Sequence, residues 1–163
     1  GSGNPEEGEL RPQLQDRFCL SVDVRTPSDV PTRVEIIRSR EAFDKDRSAF
    51  RKRWARKEST LRRRIQRARE ALDSVDTPAN LLETAAKLCL ALGTDGLRGE
   101  LTLVRSARAL AALNNDSTAT LEHLKAIAPS VLRHRLRRDP LDESSADIRV
   151  ERVIAELFND CDD

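Results

Sequence analysis

Residues 88–113 read LCLALGTDGLRGELTLVRSARALAAL and contain the clearest structural signal in the chain. Leu88, Cys89 and Leu92 repeat at helical spacing as far as Gly93, and glycine commonly follows the last turn of a helix. Helical spacing returns after the glycine-containing loop, at Leu101, Val104, Ala107 and Leu110. This stretch therefore predicts two amphipathic helices joined by a short loop.

The same spacing continues on both sides of this stretch. Apolar residues recur at helical spacing, most of them three or four positions apart, in four further groups: Leu61, Ile65, Ala68 and Leu72; Leu81, Ala85 and Leu88; Leu124, Ile127, Val131 and Leu136; Ile148, Val153, Ile154 and Leu157. An earlier helix is expected to begin near Pro31 and to carry Val34, Ile37 and Phe43 on one face. Thr120 precedes the third group and is a candidate N-cap. The pattern predicts five or six helices.

The composition is typical of a helix-rich protein with a net charge close to zero and no disulfide framework. The 163 residues are 38% hydrophobic and 35% charged, with six glycines, no tyrosine and a net charge of +1. Cys19, Cys89 and Cys161 are widely spaced and form no C-x-x-C pair, so neither a disulfide framework nor a thiolate zinc site is expected, and a reducing compartment fits better. No apolar run is long enough to span a membrane.

One short segment departs from the helical pattern. Residues 20–24 alternate apolar and polar side chains, which predicts a half-buried β-strand, and Pro27 and Pro31 mark a boundary after it. A lone strand leaves both edges unpaired. Either the other strands of its sheet are absent from this chain, or it pairs between chains; we favour the first.

The opening residues 3–18, GNPEEGELRPQLQDRF, contain two candidate functional residues. Asn4 lies in a loop rich in Pro and Gly, where a neutral amide can orient water beside a terminal phosphate; an ordinary turn residue is the alternative. Arg17, next to Asp16 and Phe18, can project toward a partner and stabilise charge on a transferring phosphoryl group. A simple Asp16–Arg17 surface ion pair is the alternative.

Arg98 is a third candidate. It lies between Gly96 and Gly99 at the expected start of a helix, where free backbone N–H groups and the helix dipole favour an anion. Glu100 is expected either to cap backbone groups or to hold the arginine in position. An ordinary loop with two glycines is the alternative.

Residues 47–69 contain eleven Lys and Arg and a single acidic residue, Glu58. Such a run suggests either a solvated helical arm or a module that binds nucleic acid or an acidic protein. A second basic cluster, residues 133–138, is followed by nine Asp and Glu. The two histidines, His123 and His134, are too few for a metal site.

Two elements of an ATPase are absent from the sequence. There is no G-x-x-x-x-G-K-[ST] phosphate-binding loop, and no apolar strand ends in acidic residues that suit magnesium. This stretch alone is therefore expected not to hydrolyse ATP.

Four segments together resemble the C-terminal half of the I-type ATPase subunit of magnesium chelatases, a family of AAA+ proteins. They are GSGNPEEGELRPQLQDRF, LSVDVRTPSDVPTRVEIIRSR, the stretch of residues 88–113, and LRHRLRRDPLDE. The resemblance covers essentially all 163 residues. It implies a mainly α fold: a remnant of the α/β nucleotide-binding core with one strand (residues 1–28), then the AAA+ helical domain (residues 29–163).

The resemblance also implies roles for the candidate residues. Asn4 corresponds to sensor 1, Arg17 to the arginine finger that reaches the neighbouring subunit's ATP, and Arg98 to sensor 2, acting in cis or in trans. No residue of this chain is implied to bind metal, since the ligands of the ATP-bound Mg²⁺ belong to the N-terminal half. The chain departs from the family at Gln15 and Cys19, where Leu and Gly are usual; a positive φ at Cys19 would be strained.

The implied activity is that of one component of a larger magnesium chelatase assembly. Family members form hexameric rings that hydrolyse ATP and act with a second AAA+ protein, the D-type subunit. Together they drive the porphyrin-binding H-type subunit to insert Mg²⁺ into protoporphyrin IX, a ligase reaction on the route to chlorophyll or bacteriochlorophyll. The D-type subunit itself is the nearest alternative identity. The implied location is the bacterial cytoplasm or the plastid stroma, with no nucleic-acid partner.

Overall fold

The computed structural model of the chain describes residues 1–3, 11–94, 96–136 and 146–159. Within these described residues, seven helices follow one another in chain order: α1 (Pro12–Gln15), α2 (Val30–Lys45), α3 (Arg47–Ala71), α4 (Ala79–Ala91), α5 (Arg98–Asn114), α6 (Leu121–Leu132) and α7 (Ala146–Asn159). A 3₁₀ turn, Leu72–Ser74, extends α3. The predicted mainly helical fold is confirmed. None of the described helices is long and apolar enough to cross a membrane.

The strand predicted at residues 20–24 does not form. This segment has no regular secondary structure, and its Val22 and Val24 side chains are 68% and 88% exposed. The backbone of this segment contacts α6 through a hydrogen bond from Ser21 N to Ser130 O, which is 2.8 Å long. Alternation of side chains produces a strand only where a neighbouring strand pairs with the backbone, and the described residues provide none here. Their only β-bridge joins Asp76 to Thr118.

The hydrophobic core lies between α4, α5, α6 and α7. Its fully buried larger side chains are Leu81, Leu88, Cys89, Leu103, Leu124, Val131, Leu132 and Val150. The predicted apolar face of α4 is confirmed, since Leu81, Ala85, Leu88, Cys89 and Leu92 are all buried. Gly93 ends the helix with φ +64°, a conformation that costs glycine no steric strain.

Two predicted apolar faces are only partly correct. The buried side chains of α5 include Leu103, Ala107 and Ala111, whereas Leu101 is 53% exposed. In α3 only the C-terminal end of the predicted stripe packs against the core, and Leu61 and Ile65 are exposed. Within this 25-residue helix, Arg64 hydrogen-bonds to the last residues of α5, while Ala68 and the following Leu72 pack against the core.

Helices α2 and α3 are in contact, and an aspartate caps the start of each. The Asp29 carboxylate accepts a hydrogen bond from Thr32 N (2.8 Å) at the start of α2. Hydrogen bonding from the Thr32 side chain, and then from its backbone N–H, lowers the pKa of Asp29. The Asp46 carboxylate accepts a hydrogen bond from Ala49 N (2.9 Å) at the start of α3. Each carboxylate satisfies a backbone N–H that the first helical turn leaves free. The predicted cap at Thr120 is confirmed by a capping box with His123 at the start of α6.

Candidate functional site

A tight turn presents Arg17 at the surface, next to the helical core. Residues Pro12–Gln15 form the one-turn helix α1. The backbone continues from it through hydrogen bonds from Arg17 N to Leu14 O and from Phe18 N to Gln15 O, both 3.1 Å long. The Arg17 side chain is exposed, and no side-chain partner holds it among the described residues. An exposed guanidinium at this turn is accessible to another molecule.

Asp16 joins the Arg17 turn to two distant helices. Its carboxylate binds Nη1 of Arg98 at 2.6 Å and also forms an ion pair with Nη1 of Arg135. Arg98 is the first residue of α5, and Arg135 follows the end of α6. The Asp16–Arg17 surface pair considered from the sequence does not form, because the carboxylate faces these two arginines instead.

Arg98 lies where the sequence predicted it, at the N-terminus of α5. Gly99 allows this position, since a Cβ there would lie 3.2 Å from Cys89 Sγ and 3.4 Å from Thr94 Oγ1. The beginning of α5 therefore packs directly on the end of α4. Burial raises the pKa of the Cys89 thiol to about 11, so this cysteine is an uncharged packing group at neutral pH.

The Arg98 side chain remains 54% exposed although it binds Asp16. An exposed ion pair of this kind contributes about 0–1 kcal/mol, so an anion can compete for the guanidinium. Glu100 does not hold Arg98 as expected from the sequence. Its Oε2 atom is buried without a hydrogen-bond partner in the described part of the chain.

Arg135 is the most buried cation of this cluster, with a side chain only 4% exposed. Nε donates to Val131 O (3.0 Å), Nη1 to Asp16 O (2.9 Å) and Nη2 to Phe18 O (2.9 Å). A buried charge is stable only when its polar atoms are paired, and here all three nitrogens are.

His134 makes a second contact to the same turn. Its Nε2 atom lies 2.9 Å from Phe18 O, so the neutral ring carries its proton on Nε2 and donates it to that carbonyl. Burial lowers the pKa of His134, and neighbouring Arg135 and Arg133 act in the same direction, while the Phe18 carbonyl and Asp16 oppose them. The folded chain therefore favours the neutral ring.

We predict that His134→Gln weakens the pH dependence of stability between about pH 7.5 and 5.5. In the parent chain the unfolded state takes up a proton near pH 6.5, which the folded state resists. The free energy of unfolding therefore falls as the pH drops through this value and levels off below the lowered pKa. The glutamine amide keeps an N–H donor for Phe18 O and does not titrate. Urea midpoints at both pH values measure the effect; equal slopes for parent and variant would contradict it.

Sequence reasoning missed Arg135 and His134 as members of this site. It placed both within a general basic cluster, residues 133–138. Arg135 and Asp16 are 119 positions apart, and no spacing rule connects them. The only signal was the density of positive charge.

Two other sequence predictions have different outcomes. Asn4 lies outside the described residues, so its role stays a prediction. Cys19 is one of the described residues. Among these, Asn115 is the only non-glycine residue with a positive φ, so the φ of Cys19 is not positive. The substitution at Cys19 therefore places no left-handed strain on the turn that carries Arg17.

The eleven basic residues of positions 47–69 all lie on α3. Of these, Arg64 donates from Nε to Leu113 O (3.0 Å) and thereby ties the helix to α5. Lys57 lies over the Trp54 ring, 4.5 Å from its centroid. In the described part of the chain, no three His, Cys, Asp or Glu side chains converge on a point where a metal ion could bind.

Comparisons with known proteins agree with this architecture. Residues 82–156 match the AAA lid domain. The chain is 59% identical over 159 residues to the magnesium-chelatase 38 kDa subunit of Acidiphilium rubrum, covering 98% of this chain and 46% of the relative. It is 43% identical to the chloroplastic magnesium-chelatase subunit ChlI of Oryza sativa subsp. indica, and this match covers 97% of this chain and 38% of the relative. It thus spans less than half the length of these relatives.

A solved structure supports the fold alone. A putative ATPase from Cytophaga hutchinsonii superimposes with a TM-score of 0.67 at 17% identity, covering 91% of this chain and 48% of that one. The helical order, the lid-domain match and the identity along nearly the whole chain agree with one another. The chain is therefore similar along nearly its whole length to the C-terminal part of the magnesium-chelatase 38 kDa (ChlI) subunits, and it carries the AAA lid domain.

Proposed function

We propose that this chain is the lid-containing part of an ATPase subunit that couples ATP hydrolysis to insertion of Mg²⁺ into protoporphyrin IX. The observation that carries the proposal is the joining of the Arg17 turn to Arg98 through Asp16, in a chain 59% identical to a magnesium-chelatase subunit. Two accessible guanidinium groups are thereby placed at one end of the helical core. This arrangement suits the charge of a nucleotide's phosphates.

Within the proposed subunit, each candidate residue has a defined task. Arg17 stabilises the charge that develops on the γ-phosphoryl group of ATP in the adjacent subunit, and Arg98 binds phosphate oxygens. Asn4 orients the attacking water. Residues 1–28 belong with the nucleotide-binding core and residues 29–163 form the helical domain. We assign no residue of this chain to Mg²⁺.

The proposed assembly is a hexameric ring that acts with the D-type and the porphyrin-binding H-type subunits of magnesium chelatase. Its location is the cytoplasm of a bacterium or the plastid stroma. In this assembly the described residues supply charge and position, while phosphate-loop and magnesium-binding groups come from the rest of the subunit. The alternative of a nucleic-acid-binding module gains no support from the relatives, whose names concern magnesium chelatase.

We predict that Arg98→Ala in the full-length subunit weakens ATP binding by about 10- to 100-fold. Loss of a hydrogen bond between charged groups costs about 1.5–3 kcal/mol, which corresponds to this range. Titration with a fluorescent ATP analogue measures the affinity, and size-exclusion chromatography with and without ATP measures assembly.

Arg105→Ala is the matched control for Arg98. Arg105 is an exposed arginine of the same helix, seven residues further on. It should leave both the affinity and the assembly close to those of the parent. Unchanged ATP affinity, assembly and hydrolysis in Arg98→Ala would remove the sensor role.

A further inference from the structure

Arg135 contacts the backbone on both sides of Arg17. Its Nη1 atom donates to the carbonyl of Asp16, and its Nη2 atom donates to the carbonyl of Phe18, each at 2.9 Å. We propose that Arg135 is a positioning residue for Arg17: it holds the turn so that the Arg17 side chain leaves the surface in one direction. The functional half of this proposal rests on the proposed role of Arg17.

The geometry suits a planar guanidinium better than any other cation. Two carbonyl groups that flank one residue are bound by the two terminal nitrogens of a single rigid fork. A lysine ammonium has three donors but only one nitrogen, so it cannot span both carbonyls in the same way. His134 adds a second donor to Phe18 O, and Arg98 Nη1 adds a longer one to Asp16 O (3.4 Å). Among the described residues, Arg135 is the one side chain that binds both carbonyls.

Arg135 is itself anchored to the core. Its Nε atom donates to Val131 O, in the last turn of α6, and both Val131 and Leu132 are fully buried. The turn is therefore fixed relative to α6 and not merely to its own short helix α1. Since α1 has only four residues, it lacks the length to be stable in isolation.

Precise placement matters if Arg17 acts on a neighbouring subunit. A displacement of about 1 Å in a catalytic arrangement can reduce the rate about 100-fold. Arg17 has no side-chain partner among the residues that the structure describes, so its direction depends on the backbone that Arg135 binds. We therefore expect a change at Arg135 to affect turnover more than nucleotide binding.

The test replaces Arg135 with lysine in the full-length subunit, which preserves the buried charge and removes the fork. We expect kcat for ATP hydrolysis to fall about 10- to 100-fold, with KM for ATP close to that of the parent. Hydrogen exchange of the peptide covering residues 11–19 should become faster, while exchange of α4, α5 and α6 stays unchanged. Arg105→Lys is the control and should change neither the ATPase kinetics nor the hydrogen exchange of residues 11–19.

Two results would overturn the positioning role. The first is unchanged exchange of residues 11–19 in Arg135→Lys. The second is faster exchange throughout α4–α6 with a lowered melting temperature, which would mean that Arg135 only supports the fold. Arg17→Ala separates this proposal from the proposed function: if that variant still hydrolyses ATP, the finger role fails, and the exchange of residues 11–19 alone decides whether Arg135 holds the turn.

Discussion

Arg17→Ala in the full-length subunit is expected to reduce ATP turnover by about 10³-fold or more while leaving ATP binding roughly unchanged. An arginine that stabilises a transferring phosphoryl group contributes on the order of 10³–10⁵ in rate, and this contribution exists mainly in the transition state. The side chain is exposed and has no side-chain partner in the described part of the chain, so its removal should cost little stability. Steady-state ATPase assays and equilibrium nucleotide binding measure the two effects separately.

Arg11→Ala is the matched control, because Arg11 is an exposed arginine of the same segment. Its ATPase rate should stay near that of the parent. Mixed rings test action between subunits: Arg17→Ala subunits should regain turnover when mixed with subunits that keep Arg17 but cannot bind ATP. Normal hydrolysis by Arg17→Ala rings, or no recovery in the mixture, would contradict a finger that acts across the interface.

The parts of the fold that follow from local chemistry were predictable from sequence. Gly93 marked the end of α4, Thr120 marked the start of α6, and the spacing of Leu81, Ala85 and Leu88 indicated the buried face. Each signal depends on residues within a few positions of one another. The prediction of a strand at residues 20–24 was wrong because a strand needs a neighbouring strand to pair with, and the local alternation of side chains does not reveal whether one is present.

The candidate site was predictable only in part. The sequence proposed Arg17 and Arg98 as candidates, but it did not show that Asp16 connects them, since residues 16 and 98 are 82 positions apart. Arg135 lies further still along the chain and reaches the turn because α6 ends beside it. Contacts of this kind follow from helix packing, which sets the relative position of helix ends after each helix has formed.

Leu103→Ala is expected to destabilise the chain by about 2–5 kcal/mol, which is a large part of a typical total stability of about 5–15 kcal/mol. Leu103 is fully buried in α5, between the helices that form the core. Its truncation removes buried apolar surface and leaves a cavity that its neighbours fill incompletely. Urea unfolding followed by circular dichroism measures the loss, and the slope of the transition should stay near that of the parent.

Leu101→Ala separates the two possible faces of α5. The sequence placed Leu101 on the buried face, whereas the structure exposes it and buries Leu103, two positions or about 200° further around the helix. We expect Leu101→Ala to change stability by no more than about 0.5 kcal/mol. Similar losses in both variants, or a larger loss at Leu101, would mean that α5 is rotated from its position here. Because Arg98 occupies the first turn of the same helix, such a rotation would also turn its guanidinium away from Asp16.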